Sequence, residues 1–411
     1  MKLVNKDSSR NRGILSDKKS LSVYIHIPFC RKRCGYCDFN TYAGLDHLLE
    51  KYVDCVLQEI AIFSPLYNSD HVVKTIYFGG GTPTIMPVRF FTKIISAISN
   101  HFSVDEILEI SSEGNPTKLN VDYLSGLYDM GINRLSIGVQ TSIKKELEIL
   151  GRSQNPEDVP RTVMNARKAG FNNISLDLIY GIPTQTLRTF ELSVELVLSL
   201  KPQHLSIYGL SLEPSTPLAQ KIKNGYIPEV DEDLAGDMYE WVMDRMHLMC
   251  FKQYEISNWA LEDPNIDLRS FHNLQYWKNQ DYLGIGAGAH SFIENRRWSN
   301  TKLIQDYVES IANEKPCLDF GHAVIVEHKL LSKMDIIKET MMMGLRLTEE
   351  GVNTKEFEER FSLKIEDVYS SQIRKLMALN LIEYKCVNQS KVLRLTKRGR
   401  MVGNQVFLEF I

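Results

Sequence analysis

Three cysteines lie close together near the start of the chain, in the segment FCRKRCGYCDFN (29–40). Cys30, Cys34 and Cys37 have the spacing C-x3-C-x2-C, in a chain with seven cysteines among 411 residues. Thiolates are the usual protein ligands of iron–sulfur clusters and of zinc. A structural zinc ion takes a fourth ligand, whereas three thiolates on a four-iron cluster leave one iron open for a substrate or cofactor. The spacing therefore predicts a [4Fe–4S] cluster and leaves zinc as the alternative.

The surrounding charges and the other cysteines agree with thiolate chemistry. Between the first two cysteines of this group lie Arg31, Lys32 and Arg33, whose positive charge favours deprotonated thiols. The remaining cysteines are scattered along the chain, which is not the pattern of a disulfide framework and indicates a reducing compartment. They are Cys55, Cys250, Cys317 and Cys386. We therefore expect a cytoplasmic, metal-dependent protein.

Glycine and polar residues follow further apolar segments in the first half of the chain. GGGTPT (79–84) and EGNP (113–116) come after two of these segments, Gln140 ends another, and Asp177 lies on a fourth. The carboxyl ends of parallel strands in α/β folds meet at one edge, where the active-site loops lie. These residues are thus expected to converge with the cysteines in one site.

The segments that must position these residues alternate between strand and helix patterns. Six β-rich segments are predicted as strands, at 21–28, 72–80, 106–114, 134–140, 174–183 and 204–210. The amphipathic segments between and after them are predicted as helices, at 46–63, 87–102, 119–130, 156–170, 186–200 and 231–250. Repeated strand–helix units predict an α/β fold, either a barrel or an open sheet.

The cysteine spacing after a first strand, with Tyr36 directly before the last cysteine, resembles the radical S-adenosylmethionine (SAM) superfamily. This resemblance implies a partial (βα)6 barrel and SAM as a cofactor. In that superfamily, SAM chelates the open iron of the cluster and is cleaved reductively to a 5′-deoxyadenosyl radical. The glycine segment at 79–84 resembles the superfamily motif whose backbone contacts the SAM amino group.

Further motifs resemble the anaerobic coproporphyrinogen III oxidase family and its HemW branch. They are YIHIPFC (24–30), EGNP (113–116), IGVQ (137–140), LGR (150–152), LDLIYGIP (176–183) and SIYGL (206–210). The resemblance implies that eight residues contact SAM, among them Glu113 or Asp177 at the ribose hydroxyls and Arg152 at the carboxylate. The eight are Tyr24, Gly80, Gly81, Thr82, Glu113, Gln140, Arg152 and Asp177.

Two features favour the HemW branch over the oxidase branch. The oxidase branch has a fourth cysteine two residues after the third, where this chain has Phe39. HNLQYW (272–277) resembles the HNxxYW motif implicated in heme binding by the HemW branch, which makes His272, Tyr276 and Trp277 the candidate heme residues. Cysteine often precedes this motif in that branch, but here the residues are Ser270 and Phe271, so a thiol-linked heme is in doubt.

The resemblance thus implies a heme chaperone that binds a [4Fe–4S] cluster, SAM and heme and passes heme to acceptor proteins. The alternative is an oxygen-independent coproporphyrinogen III oxidase that makes protoporphyrinogen IX, and a heme-modifying radical SAM methyltransferase is a more distant one. Whether the protein is itself an enzyme stays open at this point.

Four regions are predicted along the chain. Residues 1–19 are expected to be a disordered leader, 20–260 the partial barrel, and 261–325 an irregular extension that carries HNxxYW. Residues 326–411 are predicted to form a smaller winged-helix-like α+β domain that resembles the HemN C-terminal domain. Its basic hairpin, which carries Lys391, Arg394, Lys397, Arg398 and Arg400, indicates a lid or a partner-docking surface, with DNA binding as a weaker alternative.

The composition of the chain limits the classes of partner that are expected. The net charge of −3 gives no global basic field, so nucleic acid is not expected as a partner. No apolar run reaches the roughly 18 residues of a membrane-spanning helix, although a peripheral membrane contact is left open. The expected partners are heme or a porphyrinogen and the heme acceptors, and the oligomeric state is not predicted.

Overall fold

The computed structural model describes residues 18–411 except 118, 313–315, 318–320 and 323. Most of the predicted leader, residues 1–17, lies outside the described residues.

Six parallel strands form the centre of the molecule. Each lies within a few residues of its predicted position, and neighbours in sequence are neighbours in the sheet. The strands are β1 (Lys19–Ile27), β2 (His71–Gly80), β3 (Val104–Gly114), β4 (Arg134–Gln140), β5 (Ile174–Tyr180) and β6 (His204–Gly209). This arrangement is the predicted α/β partial barrel.

Helices on the outside of the sheet connect the strands, as the amphipathic segments predicted. Their apolar faces pack on the sheet and form the main hydrophobic core. The helices are α1 (Leu49–Tyr67), α2 (Val88–His101), α3 (Val121–Asp129), α4 (Lys144–Ile149), α5 (Asp158–Lys168), α6 (Leu187–Ser199), α7 (Pro217–Lys223) and α8 (Glu232–Leu248).

Side-chain alternation along the strands separates an apolar outer face from a polar interior. On β1, Leu21, Val23 and Ile25 are fully buried in the core beneath the helices. Tyr24 and His26 lie on the opposite face, where the Tyr24 hydroxyl and His26 Nδ1 are 3.0 Å apart. The barrel interior is therefore lined with groups that can form hydrogen bonds.

The region after α8 extends this sheet at both edges, where the sequence indicated irregular structure. At one edge, β7 (Phe251–Glu255) and β8 (Asn258–Leu261) form a hairpin beside β6. At the other edge, one strand pairs in parallel with β1 and three antiparallel strands follow outward from it. These are β9 (Tyr282–Ile285), β10 (His290–Ile293), β11 (Arg296–Asn300) and β12 (Ile325–Leu330), with helices α9 (Phe271–Trp277) and α10 (Ile304–Ala312) in the same region.

The C-terminal region forms a second hydrophobic core around a small sheet. Three short strands pair in the order β13, β15, β14 beside helices, an α+β arrangement like the predicted winged helix. The elements are α11 (Lys333–Gly344), β13 (Val352–Asn353), α12 (Thr354–Phe361), α13 (Ile365–Ala378), β14 (Ile382–Val387), β15 (Ser390–Leu395), α14 (Lys397–Met401) and α15 (Gly403–Leu408). The boundary predicted at residue 326 falls inside β12, the last strand of the large sheet.

None of the helices in the described part of the chain combines the length and the apolar composition that crossing a membrane requires.

Candidate cluster and cofactor site

A cavity of about 500 Å³ opens at the carboxyl ends of the barrel strands. All three clustered cysteines line it, together with seven of the eight residues predicted to contact SAM. Tyr24 is not among the lining residues; it lies on β1, with its ring stacked on that of Tyr77. The predicted residues that line the cavity are Cys30, Cys34, Cys37, Gly80, Gly81, Thr82, Glu113, Gln140, Arg152 and Asp177.

Each thiol has a polar neighbour in the site. Cys30 Sγ lies 3.7 Å from Thr82 Oγ1, and Cys37 Sγ lies 3.9 Å from Thr41 Oγ1. The Arg152 guanidinium donates to Cys34 Sγ at 3.7 Å. Burial raises the pKa of the Cys30 thiol, with smaller contributions from the other two cysteines. A positive ligand at the cavity would oppose this shift by favouring the thiolate.

The glycine segment after β2 lies directly against the start of the cysteine loop. The Gly81 amide donates to the Ile27 carbonyl and the Thr82 amide to the Phe29 carbonyl, both at 2.9 Å. A Cβ atom on Gly81 would lie 2.5 Å from the Phe29 carbonyl oxygen and 3.0 Å from Cys30 Sγ. Glycine is required at this position because no side chain fits between the two loops.

The LGR segment after α4 holds the tip of the cysteine loop. The Gly35 amide donates to the Leu150 carbonyl at 2.9 Å. Gly151 has a φ of 72°, and a Cβ atom there would lie 2.9 Å from the Gly35 nitrogen. The next residue, Arg152, spans from Cys34 to the Gly138 carbonyl, to which Nη2 donates at 2.7 Å. The resemblance to LGR thus corresponds to a clamp on the loop.

Glu113 lies at the end of β3 and faces the glycine segment. It accepts hydrogen bonds from the Tyr77 hydroxyl at 2.9 Å and from the Gly80 amide at 3.2 Å. Burial raises the pKa of Glu113 to about 7, and the nearby Asp177 adds to the rise while the two hydrogen bonds oppose it. A cationic group in the cavity would lower this pKa and pair with the carboxylate.

Asp177 and Gln140 reach the cavity from the next two strands. Asp177 accepts from the Ser136 hydroxyl at 3.0 and 3.1 Å, and burial raises its pKa. Gln140 has a φ of 68° and lies where the pairing of β4 with β5 shifts by one residue. A non-glycine residue in this conformation costs energy and is typical of functional sites.

The donor set fits a cluster better than a single metal ion. No group of three or more metal-ligating side chains surrounds a single point in the described ranges. A four-iron cluster takes each thiolate on a different iron, so its three sulfur ligands need not converge on one atom. Three thiols at one cavity wall, each with a polar neighbour, suit such a cluster.

The predicted heme residues lie on α9, and His272 faces the barrel interior. His272 is 1% exposed, and its ring nitrogens bond Thr75 Oγ1 at 2.8 Å and the Tyr276 hydroxyl at 2.9 Å. Burial lowers the pKa of His272 to about 3, so the imidazole is neutral. Trp277 lies elsewhere, under the Arg346 guanidinium at 4.4 Å from the ring centre. The structure therefore brings two of the three residues into contact and gives His272 internal partners.

Two further lining residues were not singled out in the sequence. Arg134 begins β4 and Asn273 lies on α9, and both line the cavity. Asn273 is the second residue of the HNLQYW motif, so the motif itself indicated that this residue lies near the site. The inward alternation Arg134, Ser136, Gly138 along β4 was the corresponding signal for the arginine.

Comparison with known proteins decides the family. The family model of the radical SAM superfamily matches residues 24–197, and that of the HemN C-terminal domain matches residues 331–402. The chain is 36% identical over 391 residues to the heme chaperone HemW of Bacillus subtilis (strain 168), which covers 95% of this chain and 99% of that protein. The chain belongs to the HemW family of radical SAM proteins.

Two further comparisons concern the family and the fold, respectively. The heme chaperone HemW of Lactococcus lactis is 33% identical over 394 residues, which cover 96% of this chain and 98% of that protein. The solved structure of the coproporphyrinogen III oxidase HemN from Escherichia coli has a TM-score of 0.80 and covers 97% of this chain and 92% of that one. At 24% identity this second likeness concerns the fold alone, and it confirms the predicted α/β architecture.

Proposed function

We propose that this HemW-family chain is a heme chaperone. It binds a [4Fe–4S] cluster, SAM and heme, and it passes heme to acceptor proteins. The relatives that match nearly the full length of the chain are heme chaperones, which supports this proposal. The observation that carries it is the single cavity in which the three cysteines meet the residues assigned to SAM.

Different residues of the cavity bind the cluster and SAM. Cys30, Cys34 and Cys37 hold the cluster. Gly80, Gly81 and Thr82 bring the backbone close to SAM, with Glu113, Gln140, Arg152 and Asp177 around them. In the radical SAM superfamily the bound cluster supplies the electron that cleaves SAM.

Glu113 and Asp177 contribute a specific electrostatic preference. Both carboxyls have raised pKa values because they are buried, and repulsion from Asp177 adds to the rise at Glu113. The sulfonium and amino groups of SAM are positive, so their binding relieves this repulsion. SAM binding is therefore expected to be accompanied by proton release near neutral pH.

Phe39 favours the chaperone over the oxidase. Its side chain is 69% exposed and lies at the edge of the cavity, at the position where the oxidase branch has a fourth cysteine. An exposed aromatic ring next to the cluster loop offers an apolar face to a flat macrocycle. It offers no thiol for redox or acid–base chemistry.

The heme site at α9 is part of the proposal and needs a local rearrangement. His272 can serve as an axial ligand once its bond to the Tyr276 hydroxyl is broken, because a neutral imidazole nitrogen is then free. The Tyr276 ring provides the aromatic surface beside it, whereas Trp277 packs under Arg346 and would have to move to reach the same heme.

A turnover assay separates the chaperone from the oxidase. The cluster is reconstituted without oxygen, and coproporphyrinogen III, SAM and a strong reductant are added. We expect heme binding without conversion of the porphyrinogen. Formation of protoporphyrinogen IX at a catalytic rate would favour the oxidase instead.

We also propose a cytoplasmic location, which the cluster-forming thiols and the absence of a disulfide pattern in the sequence support. Heme acceptors are proposed as the protein partners. The basic hairpin of the C-terminal domain is proposed as a lid or docking surface for them.

A further inference from the structure

The floor of the cavity carries a buried cation with an unsatisfied donor. Arg134 is 2% exposed and lines the cavity. Its Nε atom is buried and has no hydrogen-bond partner among the described residues, and Glu113 and Asp177 act on it as nearby charges without forming a salt bridge. A buried guanidinium is costly unless it is paired and hydrogen-bonded, so this position is suited to an anion.

A second unpaired polar group lies at the same floor. Asn273 belongs to α9, a seven-residue helix that the structure describes in full, and it alone of these residues lines the cavity. Its side chain makes no hydrogen bond to any described residue, whereas His272 beside it is bonded at both ring nitrogens. The α9 motif therefore presents the amide of Asn273, and not the imidazole of His272, to the cavity.

A second buried arginine of the cavity is already occupied. Arg152 donates to Cys34 Sγ, Asn115 Oδ1, Gln154 Oε1 and the Gly138 carbonyl. These bonds hold the cysteine loop and use most of the donors of the guanidinium. Lys32 and Arg33 also line the cavity but are exposed on the cysteine loop, so Arg134 is the buried cation with a donor still available to a ligand.

The ionisable groups around Arg134 are compatible with a bound anion. Glu113 and Asp177 face it from β3 and β5, and both carboxyls have raised pKa values. His204 and His272 face it from β6 and α9, and burial together with the charge of Arg134 lowers the pKa of both. The raised pKa values of the two carboxyls reduce the negative charge that would compete with a bound anion, even though the charge of Arg134 opposes both rises.

We propose that Arg134 and Asn273 form a carboxylate-binding subsite on the cavity floor. The subsite rests on the proposed function, because its ligand is a propionate of heme; the methionine carboxylate of SAM is already assigned to Arg152 and the open iron. Arg134 donates two parallel hydrogen bonds to the carboxylate, and the Asn273 amide donates a third.

The test uses the cluster-loaded full chain and two matched ligand pairs. SAM is compared with decarboxylated SAM, and heme with its dimethyl ester, by equilibrium titration. The variants are Arg134→Met, Arg134→Lys and Asn273→Leu. Methionine keeps the bulk of Arg134 without its charge, and lysine keeps the charge without the planar guanidinium that can donate two parallel hydrogen bonds. Arg188→Met removes an exposed arginine on α6 and is the control.

We expect the wild type to prefer heme over its dimethyl ester by about tenfold or more, as for a charge-assisted hydrogen bond. Arg134→Met loses that preference, Arg134→Lys and Asn273→Leu lose part of it, and the Arg188→Met control keeps it. The preference for SAM over decarboxylated SAM should stay unchanged in all variants, because Arg152 and the open iron are the expected partners of the SAM carboxylate. If Arg134→Met keeps the wild-type preference in the heme pair, or loses only the preference in the SAM pair, the proposal is overturned.

Stability without ligands separates binding from structural support. Because Arg134 has an unsatisfied buried donor, Arg134→Met should melt at the wild-type temperature or above it in the cluster-loaded form without SAM or heme. A large loss of melting temperature, with equal weakening of both members of each pair, contradicts the subsite and shows a structural role. Failure of the wild type to bind any of the four ligands is instead a failure of the proposed function.

Discussion

At the residue scale, Phe39 and the three cysteines have different roles in the site. The cysteines place three thiols at the cavity wall, where we propose the cluster, and Phe39 provides an apolar surface beside them. The cysteine spacing was sufficient to predict that these thiols lie together, because residues close in sequence are close in space. Arg134 and Asn273 lie 139 positions apart, and only the folded barrel brings them to one cavity.

The cysteine assignment leads to a direct prediction. Cys34→Ser removes the thiol that accepts from Arg152, and a serine hydroxyl is a poor ligand for iron. We expect the reconstituted variant to lose most of its iron, its sulfide and its visible cluster absorbance. Cys386→Ser, which changes an exposed thiol on the C-terminal hairpin, is the control and should keep all three. Full cluster content in Cys34→Ser would overturn the assignment.

The heme assignment predicts opposite effects of two neighbouring substitutions. Tyr276→Phe removes the hydroxyl that bonds His272 Nε2 and leaves that nitrogen free, so heme should bind several-fold more tightly. His272→Ala removes the ligand itself and should weaken heme binding at least tenfold. Absorbance titration with heme measures both. Unchanged affinity in His272→Ala excludes this histidine as the ligand, whatever the tyrosine variant does.

At the scale of elements, two loops hold the cysteine loop in place: the glycine segment after β2 and the LGR segment after α4. Gly81→Ala places a methyl group 2.5 Å from the Phe29 carbonyl oxygen and forces these loops apart. We expect a lower cluster content and faster cluster loss in air. Gly236→Ala is the matched control, because a Cβ atom there comes no nearer than 3.9 Å to another residue and alanine favours its helix. Equal cluster content in both variants would contradict the clamp.

The barrel elements could be predicted because each has a strong local pattern. Strand β4 was predicted with its observed bounds, and α2 to within one residue at each end. The strands after α8 were missed because they are short and lie at the sheet edges. Strand β9 has four residues and takes its conformation from its pairing with β1, which no local pattern in the sequence indicates.

At the scale of the whole molecule, a buried carboxyl joins the barrel to its extension. Glu59 on α1 accepts from the Gly286 amide at 2.8 Å, from the Asn300 amide at 2.6 Å and from the Tyr307 hydroxyl at 2.6 Å. These partners come from the segment after β9, from β11 and from α10. The predicted division at residue 260 therefore separates regions that share this hydrogen-bond network.

Glu59 predicts a pH dependence of stability. Burial raises its pKa to about 7 from the usual value of 4.5, and the three hydrogen bonds oppose the rise. The folded chain thus holds this proton more tightly than the unfolded chain. The resulting stabilisation is fully present below about pH 4.5 and is lost as the pH rises towards 7.

The comparison with Glu59→Gln isolates this effect, because glutamine does not titrate. We expect the stability advantage of the wild type over the variant to shrink by about 2 kcal/mol between pH 5 and pH 8. Urea unfolding of both cluster-free chains at the two pH values measures the difference. A difference that stays constant shows that Glu59 keeps one protonation state over this range.

The proposed function of this HemW-family chain is to bind heme for transfer. Its most direct test is an absorbance titration of the cluster-loaded, SAM-bound protein with heme, without oxygen. We expect a saturable spectral change that ends at one heme per chain and survives gel filtration. Absence of a saturable change, with the cluster intact, would contradict it.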